Sequence, residues 1–274
     1  MSQIALLPSR AVIEVAGDDA VSFLQGLVSN DVTQAAPAHA VWAALLTPQG
    51  KWLADFFIFS DGARLLLDVE RAQIAMLVQR LGRYRLRAKV SLTELSDWHV
   101  YAALGEPAEV PADAVAAPDP RLPEAGLRIL SPALLAETAS GEAWDAHRLA
   151  LGLPDGSRDL EPEKSVLLEA GFDELGGVCW TKGCYMGQEL TARTKYRGLV
   201  KRRLVPVSVE GPLPPSGTPI LREGAEVGSM RSGQGAIGLA QLRLEAVGTP
   251  SLHCGEAVLH PRVPAWMTLP EHAA

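Results

Sequence analysis

The longest unbroken apolar run in this chain, residues 40–46 (AVWAALL), and others such as 56–59 (FFIF) are far shorter than the ~20 residues that span a bilayer. Each lies in a strand-like stretch, and the turn-forming TPQGK of residues 47–51 separates the two. A soluble, sheet-containing fold follows. At 274 residues the chain can bury roughly 70–75% of its unfolded surface, so its core needs neither disulfides nor metals. With 32 acidic against 25 basic residues, the net charge of −7 argues against broad nucleic-acid or anionic-membrane binding. The opening MSQIALLPSRAVIEV has neither a basic start nor a continuous apolar core, and three sparse cysteines read as reduced thiols. A cytoplasmic protein is expected.

Residues 11–15 form an apolar strand, and from Asp18 the residues Val21, Phe23, Leu24, Leu27 and Val28 recur at helical steps until Asn30-Asp31. Strands are predicted at 41–46 and 52–59, then at 65–69, with a helix over 71–81. Further strands are expected at 88–92 and 99–104, a Pro/Ala-rich loop at 106–120, a returning strand at 127–130 and a helix over 132–151. The order β-α-β-β-loop-β resembles a ferredoxin-like sandwich that has lost its second helix. After Leu204, short apolar pairs alternate with Gly224, Gly228, Gly233, Gly235 and Gly238, the texture of a small antiparallel barrel. Composition puts the boundaries near residues 60, 140 and 204.

One stretch carries the chemistry, residues 176–203, GGVCWTKGCYMGQELTARTKYRGLVKRR. A helix from about Gln188 would set Cys184 near its positive end and beside Lys182, an environment that acidifies a thiol. Cys184 is thus the candidate reactive thiol, against the plainer alternative of a small buried hydrophobe. Cys179, Cys184, His253 and Cys254 could form a metal site if the fold converged them, but the pattern is poor for structural zinc. Six cations, Arg193, Lys195, Arg197, Lys201, Arg202 and Arg203, crowd into eleven residues, as a solvated face or as an anion site. No P-loop, dinucleotide fingerprint, nucleophile elbow or zincin helix is present.

At KGCYMGQE, residues 182–189, the chain resembles the YgfZ-type folate-binding proteins, relatives of the aminomethyltransferase (T-protein) of the glycine cleavage system. Phe23-Leu24-Gln25-Gly26 with Asn30-Asp31-Val32, TPQGKW at 47–52, Arg148 with Gly152-Leu153-Pro154, and Arg197-Gly198 with Lys201-Arg202 resemble further family landmarks, in family order. The resemblance implies an α+β fold, a three-domain cloverleaf around a central channel. Its parts would be a discontinuous first domain (1–60 plus 141–204) carrying KGCYMGQE, a ferredoxin-like middle domain (61–140) and a C-terminal β-barrel (205–274). It also implies tetrahydrofolate or a one-carbon derivative as cofactor, and a role in assembling or repairing iron–sulfur enzymes with assembly proteins or client enzymes as partners. Glu189 would accept the pterin's hydrogen bonds, Tyr185 would offer a ring platform, and Lys182 and Gln188 belong to the same signature. Arg197, Arg202 or Arg203 would meet the glutamyl carboxylates. Where the transferases carry paired acids, only Asp55 remains, so a folate-dependent aminomethyl- or methyltransferase with Asp55 as its acid is the alternative. A non-catalytic metal or cluster scaffold on Cys179, Cys184 and Cys254 is another.

Overall fold

A computed structural model describes residues 3–105 and 109–269; residues 106–108 of the expected loop lie outside the described residues. β1 (Gln3–Leu6), β2 (Arg10–Ala16) and α1 (Ala20–Gln25) open the chain. The hairpin of β3 (Val41–Leu46) and β4 (Trp52–Ser60) follows, then β5 (Leu65–Glu70) and α2 (Ile74–Arg85). β6 (Ser91–Glu94), β7 (His99–Leu104), β8 (Val115–Pro118), β9 (Leu127–Ser131) and α3 (Gly141–Leu151) complete the first two sheets. One sheet runs β3-β4-β5-β2-β6 and the other β1-β7-β9-β8.

The strands of the β3–β4 hairpin are apolar but for Asp55 and the terminal Ser60 because they are buried on both faces. Val41, Ala43, Leu45, Ala54, Phe56 and Ile58 face a core shared with α1 and α2. Trp42, Ala44, Leu46, Phe57 and Phe59 face a second core shared with the other sheet, α3 and the segment 167–178. An alternation of period two places consecutive residues on opposite sides, so a run with no polar gap requires a layer on each side.

Several predicted elements shift. The first helix stops at Gln25 because Leu27 and Val28 turn into the core, where Val28 bridges Leu45. The expected strand at 88–92 forms three residues later, at β6. The Pro/Ala-rich stretch contains β8, which pairs with β9. The helix predicted from residue 132 begins at Gly141, capped by the Ser140 side chain, because residues 138 and 139 donate their N–H groups to Ile4 O instead. The predicted β-α-β-β-loop-β order does not close on itself as one sheet. β2 inserts between β5 and β6, while β1 pairs with β7, so those four strands divide between two sheets. The β4–β5 hairpin accordingly carries one sheet across residue 60.

The third unit is a closed antiparallel barrel of six strands. It comprises β10 (Arg202–Glu210), β11 (Pro219–Arg222), β12 (Ala225–Gln234), β13 (Ile237–Arg243), β14 (Leu252–Cys254) and β15 (Ala257–Pro261). Arg148 on α3 fastens the barrel to the rest. Its guanidinium donates to Asp159 at 2.7 Å, to Leu153 O at 3.2 Å and to Ser232 Oγ of β12 at 2.7 Å. Gly152 ends α3 in the left-handed region at φ 78°, where an added Cβ would press on Pro206 of β10 at 3.2 Å.

Candidate functional site

The segment 176–189 is laid over the end of α1 and stapled there by hydrogen bonds from both sides. Cys179 N–H donates to Ser29 O (3.0 Å) and Met186 N–H to Gly26 O (3.1 Å). Ser29 Oγ–H donates to Gly177 O (2.6 Å), and Asn30 Nδ2 donates to Gly176 O (2.7 Å). Lys182 Nζ donates to Val28 O (2.8 Å) and Asn30 O (2.7 Å). The early family-like stretch keeps this platform in shape: Gln25 donates to Asp31 at 2.8 Å and accepts from Val32 N–H at 2.8 Å. Beyond the loop, α4 (Gln188–Tyr196) starts from Gly187 at φ 79°. A Cβ on Gly187 would lie 2.4 Å from Thr47 O, and one on Gly50 would lie 2.6 Å from Gly187 O. The TPQGK turn and the KGCYMGQE loop therefore meet backbone to backbone, which only glycine permits here.

Within this frame Cys184 is exposed, Cys179 is half-buried and Cys254 is buried in the barrel core. The Lys182 ammonium expected beside Cys184 instead points to the carbonyls of Val28 and Asn30. Burial pulls its pKa down to about 8, against the opposing pull of Asp31 and Cys179. The thiol that acts on Lys182 is thus Cys179, a neighbour that chain order alone did not reveal. A lysine lowered in this way is a penalty on the folded state below pH ~8, relieved as pH climbs toward its unfolded value of ~10.4. The Lys182 ammonium should titrate near pH 8 in 15N-lysine-labelled protein, and native stability should rise over that window relative to Lys182→Met. A midpoint above pH ~10 would contradict the burial.

The other sequence-derived candidates fare unevenly. Tyr185 is buried beneath Lys182, whose Nζ lies 5.4 Å from the ring centroid, and burial lifts its phenol to about 12. It is a packing residue rather than an open platform. Gln188 uses its Oε1 to accept Tyr185 N–H at 3.1 Å. Glu189 stands on the outer face of α4 with its side chain 91% exposed, 3.9 Å from Arg193, at a wide open hollow that Gln188, Tyr196 and Arg197 also line. Arg197 and Arg202 are exposed. Arg203 is buried, donating to Leu168 O at 2.9 Å and to Glu174, so it is committed to the fold.

Asp55 is enclosed. Trp42 Nε1 donates to one carboxylate oxygen at 2.9 Å and Trp52 Nε1 to the other at 3.0 Å, and burial raises its pKa despite these donors. Around it lies a polar network that sequence reasoning missed. Asp68 accepts from Arg10 at 2.6 Å and from Arg128; Asp119 accepts from Arg121 at 2.7 Å and from Arg128 at 3.2 Å. The Arg128 guanidinium sits 3.8 Å from the Phe57 ring centroid, and Phe172 stacks on Trp42 at 3.9 Å. The space between the sheets near Asp55 is therefore filled by rings and ion pairs.

Cavities flank this filled core. One of about 540 Å³ lies beside α4, walled by Leu168, Val200 and Leu269 and edged by Thr194, Lys195 and Glu174. Its two cations are paired, Arg203 with Glu174 and Lys195 with Asp173, which also accepts from Trp180 Nε1 at 2.8 Å. A smaller one, about 390 Å³, opens between β2 and α3 at Arg10, Trp144 and Arg158. Among the described residues no group of three His, Cys, Asp or Glu side chains is arranged to hold a metal ion, and the barrel core keeps Cys254 away from the Cys184 loop.

Two interlocked sheets and a six-stranded barrel define a protein of the aminomethyltransferase fold. The glycine cleavage system aminomethyltransferase T from Bartonella henselae superposes with a TM-score of 0.74 over 98% of this chain and 87% of that one, at 14% identity. Residues 201–269 match the model of the CAF17 C-terminal β-barrel domain. The mitochondrial iron–sulfur cluster assembly factor IBA57 of Mus musculus is 36% identical over 89% of this chain and 78% of its own length. The Homo sapiens factor is 35% identical over 95% and 84%, respectively. The chain belongs to the IBA57-type family of iron–sulfur cluster assembly factors, within the YgfZ/CAF17 group. No helix among the described residues is long and apolar enough to cross a membrane.

Proposed function

We propose that this protein binds a reduced folate and supports the assembly or repair of iron–sulfur enzymes, with Cys184 as its working thiol. The observation that carries the reading is the contrast at the signature loop: the residues around Cys184 are hydrogen-bonded into place, while Cys184 itself is exposed. A loop held this firmly presents a sulfur atom in one position to a partner, at little further ordering cost. Folate is supported by the cavity of about 540 Å³ beside α4, which is the size of a small-molecule site and joins apolar walls to a carboxylate. The partners are then iron–sulfur assembly proteins or client enzymes. The relatives' names place them in mitochondria; for this chain a cytoplasmic location is our reading, supported by its sparse thiols.

Asp55 argues against the transferase alternative, because both carboxylate oxygens are occupied by indole N–H groups. Tetrahydrofolate at a hundred times its Kd should stabilise the protein by about 2.7 kcal/mol, a rise in Tm on the order of 5–10 °C. Val200→Trp, which fills the cavity, should remove that rise. Equal melting temperatures with and without millimolar tetrahydrofolate would overturn the folate half of the proposal.

A further inference from the structure

α2 ends without the glycine that commonly closes a helix. Its last turn carries Arg83 and Arg85, and the closing residue is Leu86, at φ 42° and ψ −105°. A residue with a Cβ ordinarily avoids that conformation, and Leu86 gains no packing in return, since it is 90% exposed. The turn that holds it is tied on both sides. Ala88 N–H donates to Arg85 O at 2.7 Å, Lys89 N–H donates to Asp19 Oδ2 at 2.7 Å, and a Cβ on Gly17 would lie 2.1 Å from Lys89 O. Around the leucine stand Arg83, Tyr84, Arg85 and Arg87, all exposed. Among the described residues none of these three arginines has a carboxylate partner, and Arg85 reaches only Val90 O, at 3.4 Å. A single exposed leucine is ordinary on a protein surface. One fixed in a strained turn among unpaired arginines is not.

We infer that residues 83–87 form a docking prong for an acidic partner protein, whose surface offers an apolar pocket to Leu86 and carboxylates to the three arginines. Burying Leu86 takes enough apolar area out of water to raise affinity about tenfold or more. Arginine and tyrosine concentrate binding energy at interfaces, and each guanidinium can grip a carboxylate through two parallel N–H donors. Because the turn is already fixed, docking orders little further backbone. A lipid surface fits less well. One leucine is a short anchor, and Asp18 and Asp19 stand beside the prong through their bonds to Lys89, in a chain of net charge −7. The prong requires neither Cys184 nor bound folate.

Photo-crosslinking in cells, followed by calorimetry on purified proteins, tests this. Benzoyl-phenylalanine in place of Leu86 in the full chain should yield a dominant adduct with an acidic protein, identified by mass spectrometry. The same group in place of Leu134, which is 73% exposed, should not. That partner, once purified, should bind the wild type with an affinity that falls as salt rises. It should bind Leu86→Gly, and Arg83→Gln/Arg85→Gln/Arg87→Gln, at least tenfold more weakly. Leu86→Gly should leave Tm unchanged or a few degrees higher, because glycine accepts the positive φ without strain. A lower Tm in that variant would make the leucine structural and overturn the proposal. So would the absence of an adduct, or a partner that binds both variants as tightly as the wild type. A covalent dimer of the chain, or binding to vesicles of equal phosphatidylserine and phosphatidylcholine that both variants lose, would assign the prong to a second copy or to lipid and equally overturn it.

Discussion

Cys184→Ser should abolish this protein's ability to restore iron–sulfur enzyme activity in cells that lack their own family member, while Tm stays within about a degree of wild type. Fold and function separate here because the thiol contributes so little to packing. Cys184 is exposed, and exposed substitutions away from caps and buried contacts usually change stability by less than ~0.5 kcal/mol. The loop is held by Lys182, Met186 and Cys179 N–H, none of which the serine touches. What serine removes is the sulfur's nucleophilicity and its affinity for soft metals. Measured as activity of an iron–sulfur enzyme in extracts, rescue should drop to background. Retention of more than half the wild-type rescue would make the thiol dispensable. Cys179→Ser is the informative companion, since that half-buried sulfur approaches Thr181 Oγ1 at 3.5 Å within the same loop.

The largest stability effect should come from Asp68→Ala. Asp68 is fully buried and accepts from Arg10 and Arg128, whose guanidiniums lie over Phe57. Removing the carboxylate leaves Arg128 with Asp119 alone and Arg10 with only Asp155 at 3.9 Å, two under-compensated buried cations, at a cost of about 3–5 kcal/mol. For a chain of this size that lowers Tm by on the order of 10 °C. Asp61→Ala, which breaks a partly exposed pair with Arg64, should cost about 1 kcal/mol or less. Similar melting temperatures for the two variants would mean that water reaches the Arg10–Asp68–Arg128 network and screens it.

Some of this was legible in residue order and some was not. The β3–β4 hairpin, β7 and the barrel could be read, because period-two burial and glycine punctuation are local signals. The KGCYMGQE resemblance led to the right family. Strand pairing was not legible. Nothing in the periodicity of residues 10–16 says that they sit between β5 and β6, so a ferredoxin-like order was read where two sheets share the strands. Chain order is a poor guide to proximity within the signature loop. Lys182 is two residues from Cys184 but is turned toward Val28 and Asn30, and Glu189 belongs to the signature yet faces solvent. The arginine–aspartate network was invisible because Arg10, Asp68, Asp119 and Arg128 come from four separate segments, each alone resembling an ordinary surface charge. Signature positions such as Gly187 and Gln188 shape the loop, Gly187 by its close approach to Thr47 O and Gln188 by accepting Tyr185 N–H.

The most direct test of the account is a crystal structure with tetrahydrofolate bound. The pterin should lie against Leu168, Val200 and Leu269, with Cys184 still open to solvent. A folate seated on the outer face of α4 at Glu189, or a binding mode that buries Cys184, would contradict it.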